Sequence, residues 1–271
     1  MTVGEPTNEL TKGQGKSVIY RLGNSIRLRT PQEFRLAIHS WLFSGELRLR
    51  AYMKLRPNLG RVSVFSSPDI VIEGYPRSAN SYALCAFKIA NGSEMIITSH
   101  THSFVSIKLA VRYKVPTIVL VRDPIDAVAS QWFQYPTVSL KTELRRYATF
   151  YKEILRYVEG IVVVPFESCV SDFGKVIEAV NSKFANSFAI YEPSEENESR
   201  VREMVDELDA TQRDSGMANP FTVSRPSHIR NGRKKEAIQQ IQQHPRQLKV
   251  ALHYYRLTMM HAYDMAPEIS T

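Results

Sequence analysis

Four short strand-like runs, at 70–73 (apolar from Ile70 to Ile72), 95–98, 117–121 and 161–165, alternate with segments of helical spacing, and this alternation constrains the fold most. A strand that is apolar along its whole length has both faces covered. Strands of that kind separated by helices make a parallel sheet. The expected fold class is therefore α/β, a parallel β-sheet flanked by helices with a helical C-terminal part. The spacing predicts helices over about 78–90, 104–114, 139–157 and 172–184, with Phe104, Ile107 and Val111 on one face of the second. Pro124 suits the first turn of another. Past Pro193 the pattern turns helical. Ser194 with Glu195 and Glu196 reads as a capped start, and Val201, Met204, Val205 and Leu208 form a stripe. Leu248, Leu252, Tyr255 and Met259 mark a last helix.

The chain of 271 residues suffices for one large domain over 1–271, with the polar residues 1–17 expected to be loose. Residues 31–56 read as two helices broken at Ser44-Gly45 and packed on that domain; a helix lying on a membrane surface is the sharper alternative. No apolar run approaches the roughly 18 residues of a membrane span, and the N-terminus lacks a basic-then-apolar leader, so a cytoplasmic protein is expected. The two cysteines, Cys85 in an apolar helix and Cys169 near a strand end, have no CxxC partner, which argues against zinc and disulfides. A net charge of +8 favours a polyanion, an anionic membrane or a ligand carrying several phosphates.

The first strand runs into Gly74-Tyr75-Pro76-Arg77-Ser78-Ala79-Asn80-Ser81 and then a helix. Strand, tight loop and helix start make a phosphate cradle, because the first N–H groups of a helix lack intrahelical partners. Set against the nucleotide loop G-x-x-x-x-G-K-[ST], Gly74 and Ser81 fit, whereas Ala79 replaces the second glycine and Asn80 the lysine. Without that lysine a metal-bound triphosphate is poorly served.

The stretch Tyr75-Pro76-Arg77-Ser78-Ala79-Asn80-Ser81-Tyr82 resembles the 5′-phosphosulfate loop of sulfotransferases that use 3′-phosphoadenosine 5′-phosphosulfate (PAPS), with Ala79 for glycine and Asn80 for Thr/Ser. Their 3′-phosphate motif, a strand ending in Arg and a helix with Ser eight residues on, is matched by Arg122 and Ser130 in "VRDPIDAVAS". Phe166 takes an aromatic position that lies near adenine in relatives. The resemblance implies a P-loop-like sheet and PAPS as co-substrate, bound by Pro76 to Tyr82, Arg122, Ser130 and Phe166. It also implies a basic C-terminal segment on the 3′-phosphate, for which Arg233 is chosen from Arg230, Arg233, Lys234 and Lys235 in "HIRNGRKKE".

Sulfuryl transfer needs a base for the acceptor's proton and cations for charge on the departing phosphate. Counting back from Arg122 favours His100 as the family's histidine, with His102 close enough that sequence does not decide between them; in some relatives a carboxylate serves instead. Arg77 is the expected electrostatic catalyst, and no metal is required. The reading is thus sulfuryl transfer from PAPS to a hydroxyl-bearing acceptor, a carbohydrate or lipid-linked glycan by preference. No nucleic-acid motif is seen, peripheral membrane contact is the role left to residues 31–56, and the oligomeric state is not legible. The rivals are a P-loop kinase using Asp123 for magnesium and a non-enzymatic module for polyanions.

Overall fold

Strand β1 (Ile70–Gly74) lies between β2 (Ile97–Ser99) and β3 (Thr117–Val121), and β4 (Val162–Pro165) follows β3, giving the order β2-β1-β3-β4 with every pairing parallel. This comes from a computed structural model that describes residues 38, 41–55, 63–134, 138–213 and 231–264. Residues 41–271 cluster as one unit, to which the elements below belong. They are α1 (Glu46–Leu55), α2 (Asn80–Asn91), α3 (Phe104–Arg112), α4 (Pro124–Gln134), α5 (Leu140–Ile154), α6 (Phe166–Ser171), α7 (Phe173–Phe184), α8 (Glu195–Arg213), α9 (Asn231–Gln242) and α10 (Pro245–Met259). Among the described residues no helix is long and apolar enough to cross a membrane.

The alternation of side chains along each strand divides the core. Ile70, Ile72, Ile118, Leu120, Val162 and Val164 point to one face, covered by Phe87 of α2, Phe173 and Ile177 of α7 and Val201 of α8. Val119, Val121 and Val163 point to the other, where α4, α5, α9 and α10 pack through Val128, Leu144, Tyr151, Ile241 and Ala251. Val71 meets Leu49 of α1 and Leu109 of α3. Each such fully buried side chain contributes about 2 kcal/mol, so burial on both faces fixes the parallel arrangement.

Several boundaries move from their expected places. The second strand begins at Ile97, because Ile96 lies 41% exposed on the rim. The helix expected over 139–157 ends at Ile154 and tightens into a 3₁₀ turn through Gly160. The helix expected at 172 is preceded by α6. The two are separate because Asp172 leaves helical geometry and its carboxylate accepts from the N–H of Lys175 at 3.2 Å, starting α7. Cys169, expected at a strand end, therefore lies in α6; both cysteines are buried and free. The predicted break at Ser44-Gly45 is a turn before α1, and the expected loop near 212–225 lies outside the described residues from 214 on.

Strand β1 has β2 on one side and β3 on the other, so the chain reverses its winding direction between β1 and β3. A crevice opens there beyond the carboxyl ends of the strands. Gly74 is paired with Leu120 at that edge, which puts the 75–79 loop beside Arg122.

Candidate functional site

Gly74 closes β1 where no larger residue fits, since a Cβ would come within 2.6 Å of the Leu120 carbonyl oxygen. The chain then turns sharply. Arg77 and Ala79 both take left-handed backbone, at φ 71° and 72°. Alternation of that kind aims successive N–H groups into one concavity that suits an anion. Ala79 begins α2 with no side-chain cap, leaving the positive end of the helix dipole directed at the same place. Glycine would hold this conformation without strain, so Ala79 carries a cost of about 1 kcal/mol.

Asn80 does not act as the lysine of a nucleotide loop. Its Nδ2 donates to the Tyr75 carbonyl at 3.2 Å, tying the loop to itself. Two buried oxygens at this turn, Ser78 Oγ and Asn80 Oδ1, have no hydrogen-bond partner among the described residues. A buried hydroxyl without a partner costs about 1–3 kcal/mol, and an anion bound in the loop would satisfy Ser78. Beneath the loop, Tyr75 is buried against Tyr147 and hydrogen-bonds the buried carboxylate of Glu143, which also pairs with Arg146 at 2.7 Å. Burial first, then the Glu143 charge, pushes the Tyr75 hydroxyl well above the usual phenol range, so it stays a neutral donor.

Arg122 follows the last residue of β3. Its NH1 donates to the Arg77 carbonyl at 2.9 Å, and its guanidinium lies 4.1 Å over the ring of Phe166, the first residue of α6. Burial pulls its pKa below the ordinary value, while Asp126, Glu167 and Asp123 push it back up. None of these carboxylates is within ion-pair distance of it. A half-buried cation held by a carbonyl and an aromatic face is able to pair with an anion. Ser130, two turns along α4, accepts from Arg77 Nε at 2.9 Å. Arg77, Arg122, Ser130 and Phe166, scattered over 90 positions of sequence, thus meet at the switch point. Asp123 instead caps α4, accepting from the N–H of Ile125 at 2.8 Å.

The two histidines stand on the neighbouring β2–α3 turn, again with left-handed backbone, at φ 59° for His100 and 48° for His102. His100 Nε2 is 3.0 Å from Ser81 Oγ and Nδ1 is 2.9 Å from Ser99 Oγ, so this ring joins the turn to the start of α2. His102 Nδ1 lies 2.8 Å from the Gly74 carbonyl oxygen. Tyr82 faces away from this group; its hydroxyl donates to Glu198 Oε1 of α8 at 2.7 Å, with Tyr191 on the same oxygen at 2.9 Å. Pro76 is buried in the loop. Arg233 lies in α9 with its side chain outside the described residues, as does all of Arg230; the adjacent Lys234 pairs with Asp126 at 2.6 Å.

Sequence reasoning missed Glu73 and the α5 tyrosines. Glu73 is fully buried at the end of β1 and receives the backbone N–H groups of Thr101 and His102. A carboxylate closing an otherwise apolar buried strand was the available signal. Tyr147 and Tyr151 donate to the carbonyls of Arg122 and Leu120 at 2.6 and 2.8 Å, anchoring the end of β3. Their helical spacing alone looks like ordinary core.

No protein-family model and no curated protein matches the chain. Among solved structures it is similar to mouse sulfotransferase SULT7A1 complexed with PAP, at 12% identity and a TM-score of 0.33, over 71% of this chain and 88% of that one.

Proposed function

We propose that the protein transfers a sulfuryl group from PAPS to a hydroxyl of an acceptor, a carbohydrate or lipid-linked glycan. The observation that carries the reading is the state of Arg122: a half-buried guanidinium at the switch point, stacked on Phe166 and lacking a carboxylate partner among the described residues. The unpartnered Ser78 hydroxyl and the uncapped start of α2 add donors for a second anionic group. Two separate anion positions beside one aromatic ring suit an adenosine carrying phosphate at both 3′ and 5′.

In this reading Arg122 and Ser130 hold the 3′-phosphate, with Arg233 closing over it. The loop from Pro76 to Tyr82 holds the 5′-phosphosulfate through the N–H groups that follow the proline, and Phe166 borders the adenine. Arg77 stabilises charge on the departing phosphate oxygen. A histidine of the 100–102 turn takes the acceptor's hydroxyl proton as that oxygen bonds to sulfur. The bond from sulfur to the bridging oxygen breaks, its electron pair remaining on the 5′-phosphate of adenosine 3′,5′-bisphosphate (PAP). The cations and N–H groups meet the donor's charge, so the scheme gives no step to a metal. It also keeps a cytoplasmic location and a single domain over 1–271.

Calorimetric titration with PAP tests this, beside ATP with magnesium, on wild type and Arg122→Ala. Metal-independent binding of PAP, weakened about 100-fold by the substitution, is expected; losing the contacts of a buried cation costs about 3 kcal/mol. Tighter, magnesium-dependent binding of ATP would hand the site to phosphoryl transfer.

A further inference from the structure

We infer that Glu73 is a positioning residue that fixes His102, not His100, as the base, with Nδ1 protonated and Nε2 the atom that receives the acceptor's proton. The inference rests on the sulfuryl-transfer reading for the identity of the proton donor, but its geometry is independent of it.

A carbonyl oxygen only accepts, so the 2.8 Å contact between His102 Nδ1 and the Gly74 oxygen requires a proton on Nδ1. A neutral imidazole protonated there carries its lone pair on Nε2, which is what a general base requires. His100 is under no such constraint. Both its nitrogens face hydroxyls, of Ser99 and Ser81, and a hydroxyl can donate or accept. Its bond to Ser81 couples it to the phosphate loop and not to an acceptor.

Glu73 explains why His102 keeps this geometry. Its Oε1 accepts from the N–H and the hydroxyl of Thr101, each at 2.7 Å, and its Oε2 accepts from the N–H of His102 at 3.0 Å. Ser106 hydrogen-bonds the same Thr101 hydroxyl at 2.9 Å, extending the network into α3. Two consecutive N–H groups are thereby turned towards β1, between residues His100 and His102 that both hold left-handed backbone. Strained residues of this kind cost about 1–3 kcal/mol each and persist where their surroundings over-determine them. Glu73 Oε2 also lies 4.0 Å from His102 Nδ1. A negative charge on that side of the ring stabilises the imidazolium formed when Nε2 takes a proton. Glu73 does not touch the reacting atoms and acts through the turn and the ring.

Nitrogen-15 spectra of histidine-labelled wild type at a pH where the ring is neutral read the tautomer directly. A single Nδ1–H form of His102 is expected; an Nε2–H form overturns the inference. Glu73→Gln replaces one accepting oxygen with an amide that must face an N–H. It should leave PAP affinity within about twofold, mix the tautomers of His102, and slow release of sulfate from PAPS, with water as acceptor, by about 100-fold. Unchanged release with an unchanged spectrum would refute the role of Glu73. His102→Ala should abolish release with PAP still bound, whereas His100→Ala should weaken PAP; the reverse pattern overturns the assignment. If the wild type binds no PAP, the sulfuryl-transfer reading fails, while the tautomer spectra still decide whether Glu73 governs His102.

Discussion

The phosphate-loop turn and the histidine turn leave adjacent parallel strands at the same edge, and each holds two non-glycine residues in left-handed backbone two positions apart: Arg77 and Ala79 in one, His100 and His102 in the other. They are held by different means. The first is held along its backbone mainly by its own surroundings in sequence, with Asn80 bonding back to Tyr75 and the start of α2 following directly, joined by bonds to Arg122, Ser130 and Glu143. The second takes its backbone N–H bonds from one carboxylate of the neighbouring strand, 28 and 29 residues earlier, beside ring contacts from His100 to Ser81 and from His102 to Gly74. A contiguous motif can encode the first kind of turn. The second exists only once β1 and β2 have paired, so its rigidity should depend most on a distant residue, Glu73.

The largest effect follows from that contrast. Glu73→Ala leaves the N–H groups of Thr101 and His102 without their acceptor, and should destabilise the fold by about 4 kcal/mol, read by urea unfolding. No single side chain of the phosphate-loop turn should approach this. If Glu73→Ala unfolds with a loss under about 1 kcal/mol, the histidine turn is held by something else and the comparison breaks. The strand between the two turns gives the next effect. Gly74→Ala forces a methyl against the Leu120 carbonyl oxygen at 2.6 Å, separating β1 from β3 at the edge where both turns begin. A loss of about 3 kcal/mol is expected, together with weaker PAP binding because Arg122 moves away from the loop. A loss of stability with binding intact would mean the strands can part without disturbing the site.

The same contrast explains what could be read from the sequence. The parallel sheet was legible because positions 118–121 and 162–165 are apolar throughout, as burial on both faces requires. The loop at 74–81 and the pair Arg122 and Ser130 were legible as spacings, and their meeting at the switch point follows from strand order. Glu73 was passed over as the last residue of a strand, because its partners at 101 and 102 become neighbours only through the register of β1 with β2. Tyr82 shows the opposite failure. It sits within the motif, yet its hydroxyl is drawn to Glu198 of a helix more than 100 residues later. Motifs report local geometry well and tertiary partners poorly.

Ala79→Gly should have the smallest effect, and it asks whether the phosphate-loop turn is strained for a purpose. Glycine relieves about 1 kcal/mol of left-handed strain. Against that stand about 0.5–1 kcal/mol of extra freedom in the unfolded chain and the loss of a half-buried methyl packed against the core below β1. The three nearly cancel, so stability should change by less than about 0.5 kcal/mol. Binding should respond more, because removing the methyl lets the backbone N–H groups approach a phosphate oxygen closely. Tighter PAP binding at unchanged stability would identify Ala79 as a residue that limits donor affinity. A marked loss of stability would instead make its methyl part of the core, and the phosphate-loop turn would then rest on packing as fully as the histidine turn rests on Glu73.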